Sequence, residues 1–236
     1  MALSAVWPAV EVFDDHRQWR PEWTVDRTCL YWYLTFTDQP DVASLAQRAG
    51  GDLGTHEAID PVPPPWLHLT LCDVGFLDEV GQHQLEVMTE AVAHELRLCS
   101  PFELSLGPIA LYPDALTLAA GPHSRLRELR NRIERAMESA DLNPRHHPAD
   151  QFWPHVTLGY LNRRAEMQPV LDTLGDEDAT GTVTVRDVTL AAVSRRHGYY
   201  QWDAGAVISL QHGAGPVRRQ VEGTGEPSST GSESTP

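Results

Sequence analysis

The alternation of apolar and polar positions along the chain predicts a protein of mixed strands and helices. Apolar and aromatic residues dominate 29–36, 66–74 and 152–160, as is typical of buried strands. Over 78–99, and from Leu126 to Ala140, apolar residues recur every three or four positions, which predicts amphipathic helices. The other predicted elements are a helix capped by Asp41 and ending at Gly50, a loop at 51–65, strands at 102–111, 115–120, 182–194 and 200–210, and a short helix at 165–174.

The two ends of the chain differ in composition from its middle. Residues 1–24 interleave Trp7, Trp19 and Trp23 with charged residues, and we interpret them as an arm that lies across the domain. From His212 onwards the chain loses its apolar pattern and becomes rich in Gly, Ser, Thr, Pro and Glu, too polar to offset the entropy of ordering. The predicted organisation is therefore an arm at 1–24, a domain at 25–211 and a disordered tail at 212–236.

Charge narrows the class of ligand. The 236 residues carry a net charge of -15, and all 18 basic residues are arginine. Affinity for long nucleic acid comes from neutralising phosphates, so this charge argues against a sequence-blind binder of long RNA or DNA. Almost all of the net negative charge falls in residues 1–121, and most arginines lie after them. A small phosphate ligand in a local basic pocket stays compatible with this distribution.

The expected location depends on features that the sequence lacks. No apolar run approaches the roughly 20 residues that cross a bilayer, so we expect no membrane association. Residues 1–8 do not resemble a secretory signal. The cysteines Cys29, Cys72 and Cys99 are an odd number without a close pair, so we interpret them as buried thiols in a reducing compartment. The expected location is the cytoplasm.

A tetrapeptide appears twice within predicted strands, as HLTL from His68 and as HVTL from His155. Side chains alternate between the faces of a strand, so the histidine and threonine of each copy share one face and the two apolar residues share the other. A single match of this kind among 11 histidines is more often structural. Two matches in similar strands favour a function, and a weak internal repeat around them suggests two similar lobes packed face to face.

The paired motifs suit the cleavage of a phosphodiester. One neutral imidazole can take a proton from water while the other, as imidazolium, gives one to the leaving alkoxide, so His68 and His155 are the candidate catalytic residues. The hydroxyls of Thr70 and Thr157 can bind the non-bridging phosphate oxygens. Neither motif contains a second histidine or a carboxylate at ligand spacing, so we expect no metal and no cofactor.

These motifs resemble those of the 2H phosphoesterases, in particular the bacterial 2′-5′ RNA ligase-like branch. The resemblance covers about 25–211 and also includes Gly75 and the Phe-x-Pro that precedes the second motif. It implies an α+β fold of two pseudo-symmetric antiparallel sheet-and-helix lobes, at about 25–121 and 122–211, around a central cleft. It also implies that the histidines are an acid-base pair, that the threonines bind phosphate, and that the activity is opening of cyclic phosphates or reversible 2′-5′ RNA ligation.

The sequence departs from that family just after each motif, at positions where the family often has a basic residue. Cys72 and Asp73 follow the first motif, and Tyr160 stands where the second often has a basic residue. Both changes disfavour a long RNA. Tyr160 is either a substrate-binding residue, stacked on a base or bonded to the phosphate, or a half-buried aromatic at a strand end. Arg195 and Arg196 end a predicted strand, and we expect them to reach the cleft and bind phosphate.

Three functions stay open at this point. The first is hydrolysis of a small cyclic phosphate or of a short RNA end by a monomeric enzyme. Reversible 2′-5′ RNA ligation is a variant of this first function. The second is a nucleotide-binding or RNA-end-binding module with weak catalysis. The third is a structural role for the motifs, with partner contacts made by the tryptophan-rich arm.

Overall fold

The structure is a computed structural model that describes residues 12–142 and 152–211. Helices alternate with strands along the chain. The helices are α1 (Pro40–Gly50), α2 (Gln82–Leu96), α3 (His123–Glu138) and α4 (Met167–Leu171). The strands are β1 (Val12–Phe13), β2 (Cys29–Thr35), β3 (Ile59–Pro61), β4 (His68–Phe76), β5 (Phe102–Tyr112), β6 (Ala115–Gly121), β7 (His155–Leu161), β8 (Ala165–Glu166), β9 (Gly181–Val185), β10 (Asp187–Ser194) and β11 (Gln201–Ser209).

Two antiparallel sheets form the body of the protein. One has the strand order β11-β10-β2-β4 and the other the order β3-β7-β6-β5-β9, while β1 and β8 form a separate short pair. The two large sheets contact each other through β4 and β7, the strands that begin with His68 and His155. The predicted α+β fold with two antiparallel sheets is therefore confirmed, and the two motifs lie at the seam between them.

Each sheet contains strands from both halves of the chain. Strands β2 and β4 pair with β10 and β11 in one sheet, and β3, β5 and β6 join β7 and β9 in the other. The boundary between lobes that is expected at about residue 121 therefore does not coincide with a boundary between the two sheets. The stretch 182–194, predicted to be one strand, breaks at Arg186 into β9 and β10, which belong to different sheets. The alternation shifts by one residue at the break, because Val183 and Val185 are buried in β9, Arg186 and Asp187 are both exposed, and burial resumes at Val188 in β10.

Helices α2 and α3 pack on each other, and α3 also contacts β4 and β6, so it covers both sheets beside the seam. Its apolar stripe is buried as the periodicity predicts, at Leu126, Leu129, Ile133 and Met137. Helix α1 begins two residues earlier than expected, because Pro40 occupies its first turn and Gln39 is the N-cap. Asp41 is therefore not the cap; it lies in the first turn, where a carboxylate favours the helix dipole.

The predicted arm is seen from residue 12 onwards, and it is anchored by its apolar side chains. Phe13 and Trp23 are fully buried, whereas Trp19 is 44% exposed. The burial of all three cysteines is confirmed. Trp7 and the predicted tail at 212–236 lie outside the described residues. In the ranges 12–142 and 152–211, no helix is long and apolar enough to cross a membrane.

Candidate active site

A bulge at the same place in both motif strands shapes the site. Leu71 in β4 and Leu158 in β7 are the extra residues where the pairing register shifts. Each bulge changes which side chains face the seam, because it adds one residue between the motif threonine and the rest of the strand. As a result Asp73 and Tyr160, each five residues after a motif histidine, lie on the same face as the histidine and threonine of their strand.

The two motif histidines are held by the same local contact. The Nδ1 atom of His68 lies 2.8 Å from the backbone oxygen of Trp66, and that of His155 lies 2.7 Å from the backbone oxygen of Trp153. A carbonyl oxygen only accepts hydrogen bonds, so Nδ1 carries the proton in each ring. The neutral form of either imidazole therefore has its lone pair on Nε2, which is the atom suited to proton transfer.

The first histidine is enclosed by aromatic rings. His68 is only 5% exposed. Its ring stacks on Tyr33, with centroids 4.2 Å apart, and meets Trp202 edge-on at 5.1 Å. Burial lowers the pKa of His68 to about 4, against the opposing effect of the Trp66 carbonyl, and the charge of His155 lowers it further. His68 is therefore neutral at pH 7.

The second histidine lies in a more open environment. His155 is half-buried, and its ring centroid is 4.6 Å from that of Tyr112. The strands β4 and β7, which begin with the two histidines, contact each other, and besides burial the charge of His155 lowers the pKa of His68. The structure thus brings together the two histidines that the repeated motif singled out.

The threonines lie further along the same two strands. Thr70 is half-buried, and Thr157 is 4% exposed. The side chain of Thr157 is a polar neighbour of the Tyr160 hydroxyl. Burial raises the pKa of Tyr160 well above its ordinary value, so its hydroxyl stays protonated at neutral pH.

Tyr160 is enclosed by the protein itself. It is 5% exposed, and its ring stacks on that of His16 from the arm, with centroids 4.2 Å apart and planes at 28°. A second aromatic neighbour, Tyr200, lies 5.1 Å away. The face of Tyr160 covered by His16 is therefore not open to a nucleobase, and the position is an inner wall of the site.

The two predicted strand-end arginines lie in the turn between β10 and β11. Arg195 packs on the arm: its Nη2 donates to the backbone oxygen of Arg17 at 3.3 Å, and its guanidinium lies 5.6 Å from the ring centre of Trp23. Its Nη1 is buried without a hydrogen-bond partner among the described residues. Arg196 is exposed to solvent.

Two polar residues near the site have no signal in the sequence pattern. Arg20 is 3% exposed, and its Nη1 donates to Asp73 at 2.7 Å and to Tyr31 at 2.8 Å. His16 lies between Tyr160 and Tyr200. Both belong to the arm, far in sequence from either motif, and only the tertiary fold places them here. In the part of the chain that the structure describes, no three His, Cys, Asp or Glu side chains group to hold a metal ion.

Comparison with known proteins identifies a family and several similar folds. The model of the 2′-5′ RNA ligase superfamily matches residues 39–197. No curated protein matches the chain. The fold is similar to that of TT0787 of Thermus thermophilus, with 20% sequence identity, coverage of 78% of this chain and 98% of that one, and a TM-score of 0.61.

Two other solved structures show the same likeness. A phosphoesterase has 21% identity, coverage of 79% of this chain and 99% of that one, and a TM-score of 0.59. Escherichia coli LigT complexed with 3′-AMP has 21% identity, coverage of 78% and 99%, and a TM-score of 0.58. The family match spans well over half of the chain and includes both histidine motifs, so the protein belongs to the 2′-5′ RNA ligase superfamily of 2H phosphoesterases.

Proposed function

We propose that the protein is a metal-independent phosphodiesterase that opens a small cyclic phosphodiester, such as the 2′,3′-cyclic phosphate of a nucleotide or of a short RNA end. One observation carries this proposal. Two histidines at one seam present the same tautomer, with Nδ1 bonded to a backbone carbonyl and Nε2 as the proton-transfer atom. Two such groups are what hydrolysis of a phosphodiester by general acid-base catalysis needs.

The difference in burial suggests the two roles. His68, neutral because burial lowers its pKa to about 4, is the proposed general base. Its Nε2 takes a proton from a water molecule whose oxygen attacks phosphorus. The more exposed His155, as imidazolium, is the proposed general acid that protonates the ribose oxygen as its bond to phosphorus breaks. The hydroxyls of Thr70 and Thr157 stabilise the charge on the non-bridging oxygens.

Charge and the structural relatives support a small substrate. The net charge of -15 disfavours a long polynucleotide. Crystal structures of Escherichia coli LigT have been solved in complex with 3′-AMP, with ATP and with phosphate. A mononucleotide-sized ligand is therefore the substrate class that we propose. We further propose that the protein acts in the cytoplasm as a monomer.

The direct test is turnover of 2′,3′-cyclic AMP in the presence of EDTA. The wild type is expected to form a nucleoside monophosphate, and His68→Ala and His155→Ala are each expected to lose at least about a hundredfold in rate, the usual scale of acid-base catalysis. His83→Ala, at an exposed position of α2, is the matched control. Full activity in either motif variant, or loss of wild-type activity in EDTA, would contradict the proposal.

A nucleotide-binding module is the second candidate. It is favoured by Asp73 and Tyr160, because neither residue is basic. Strands β4 and β7 therefore supply no arginine or lysine beside Thr70 and Thr157. Calorimetry with 3′-AMP beside the turnover assay separates the two functions, because a module binds the nucleotide and forms no product from the cyclic substrate. Ligation of RNA ends carrying a 2′,3′-cyclic phosphate and a 5′-hydroxyl tests the reverse reaction.

A further inference from the structure

The N-terminal arm crosses the seam between the two sheets. On the side of the five-stranded sheet, β1 pairs with β8, and the backbone N–H of Asp14 donates to the oxygen of Pro113 at 2.7 Å. On the other side, Trp23 stacks on Tyr31 of the four-stranded sheet, with centroids 5.7 Å apart. The arm therefore bridges the two sheets at the place where the motif strands meet.

Two side chains of the arm, four residues apart, reach equivalent positions of the two motif strands. His16 stacks on Tyr160, five residues after His155. Arg20 bonds to Asp73, five residues after His68. The arm thus lies over both strands just beyond the two threonines.

His16 is also the centre of a chain of hydrogen bonds. Its Nδ1 lies 2.8 Å from Oδ2 of Asp114, and its Nε2 lies 2.7 Å from the hydroxyl of Tyr200. A carboxylate only accepts, so Nδ1–H donates to Asp114 and, in the neutral ring, Nε2 accepts from the Tyr200 hydroxyl. The Nε1–H of Trp19 donates to that same hydroxyl at 3.3 Å. Tyr200 is thereby held from two sides.

The two tyrosines that His16 contacts lead directly to the motif residues. The ring of Tyr200 lies 6.1 Å from that of His68 and 5.1 Å from that of Tyr160. Tyr160 in turn has the side chain of Thr157 as a polar neighbour. His16 itself has both ring nitrogens bonded and one ring face covered, which suits it to hold its neighbours rather than to exchange protons with a substrate.

We propose that His16 is a positioning residue of the active site: bonded to Asp114, it holds Tyr200 beside His68 and Tyr160 beside Thr157. This inference rests on the proposed function. Its physical basis is that catalytic groups must be held to within a fraction of an ångström, and small displacements cost large factors in rate. The arm then completes the site.

The experiment compares two neighbouring arm variants on 2′,3′-cyclic AMP. His16→Phe keeps a ring to stack on Tyr160 and removes both hydrogen bonds. Arg17→Ala removes only an exposed ion pair with Asp60 and is the matched control. We expect kcat of His16→Phe to fall about tenfold or more with KM changed less than about threefold, and Arg17→Ala to stay near wild type.

Further variants separate positioning from a loss of folded protein. Asp114→Asn keeps an oxygen acceptor for Nδ1–H and is expected to retain most activity, whereas Asp114→Ala is expected to resemble His16→Phe. Tyr200→Phe combined with His16→Phe should cost little more than either alone, because both remove the same bond. Additive losses, a kcat within twofold of wild type, or a loss that equals the fall in folded fraction measured by circular dichroism would overturn the inference.

The outcome also distinguishes this inference from the proposed function. If His68→Ala is inactive and His16→Phe is fully active, the proposed function stands and the inference fails. If the wild type turns over no cyclic nucleotide, the proposed function fails, and calorimetry with 3′-AMP tests the inference. About fivefold weaker binding by His16→Phe, with no change for Arg17→Ala, then supports a positioning role, and equal binding overturns it.

Discussion

His68 and His155 hold their imidazoles by the same contact, in which Nδ1 donates to the backbone oxygen of the tryptophan two residues earlier, at 2.8 and 2.7 Å. The surroundings of the two rings differ, because His68 is buried beneath Tyr33 and Trp202 while His155 is half-buried. A symmetric local geometry in unequal environments gives two chemically similar groups different tendencies to carry a proton. The roles proposed for the two histidines depend on this inequality.

The pH dependence of kcat/KM tests whether a group with the lowered pKa of His68 takes part in the reaction. If His68 acts as the base it must be neutral, and with a pKa of about 4 it stays so down to roughly pH 5. The acid limb of kcat/KM on 2′,3′-cyclic AMP is therefore expected near pH 4, and the alkaline limb reports the acid. An acid limb near the ordinary histidine pKa of about 6.5, with no limb near pH 4, would show that a group with the lowered pKa of His68 takes no part in the reaction.

The same group makes stability depend on pH. The folded pKa of His68 is about 4, below the value of about 6.5 for an unfolded chain, so below pH 6.5 the unfolded state binds a proton that the folded state does not. The free energy of unfolding should therefore fall as the pH falls from 6.5 to 4, by about 2 kcal/mol at pH 5. Urea denaturation at pH 7 and pH 5 measures the effect.

The matched comparison is between His68→Gln and His83→Gln. His68→Gln lacks the titrating group and is expected to lose about 2 kcal/mol less than wild type between the two pH values, whereas His83→Gln, exposed on α2, should lose as much as wild type. Equal losses in all three proteins would show that His68 does not titrate with a lowered pKa.

The threonine hydroxyls are expected to matter more for turnover than for folding. Thr70→Val and Thr157→Val keep the shape of the side chain and remove a donor to the phosphate, and each is expected to lower kcat by about 10²-fold. The control is Thr89→Val, whose hydroxyl is buried on α2 and bonded to the backbone oxygen of Leu85 at 2.7 Å. Steady-state kinetics with thermal melts should show a catalytic loss in the first two variants alone. Equal kinetics in all three variants would show that Thr70 and Thr157 do not bind the phosphate.

The arm is expected to be an integral part of the domain rather than a free extension. Trp23 is fully buried and Trp19 is 44% exposed, so Trp23→Ala is expected to cost about 3–5 kcal/mol and Trp19→Ala about 1 kcal/mol or less. Thermal denaturation of both variants measures the difference. Similar, small shifts in Tm for the two tryptophans would mean that the arm contributes little to the folded state.

The secondary structure was predictable where the pattern is local. The stripe on α3 and the aromatic run of β2 both arise from spacing along the chain, which depends only on neighbouring residues. The short strand β3 lies within the stretch 51–65 that is predicted to be a loop, because three residues are too few to show alternation. The break at Arg186 does have a local signal, since the successive polar residues Arg186 and Asp187 interrupt the alternation, but the assignment of β9 and β10 to different sheets does not.

The sequence by itself determined the two motifs, their face on each strand and the family they resemble, because strand alternation and residue chemistry are local properties. Only the tertiary structure decided which strands pair, where the bulges at Leu71 and Leu158 turn Asp73 and Tyr160 towards the seam, and that His16 lies between two tyrosines. It also decided that His68 is buried more deeply than His155. These features arise from contacts between residues far apart in the chain, and burial and electrostatic surroundings exist only once those contacts have formed.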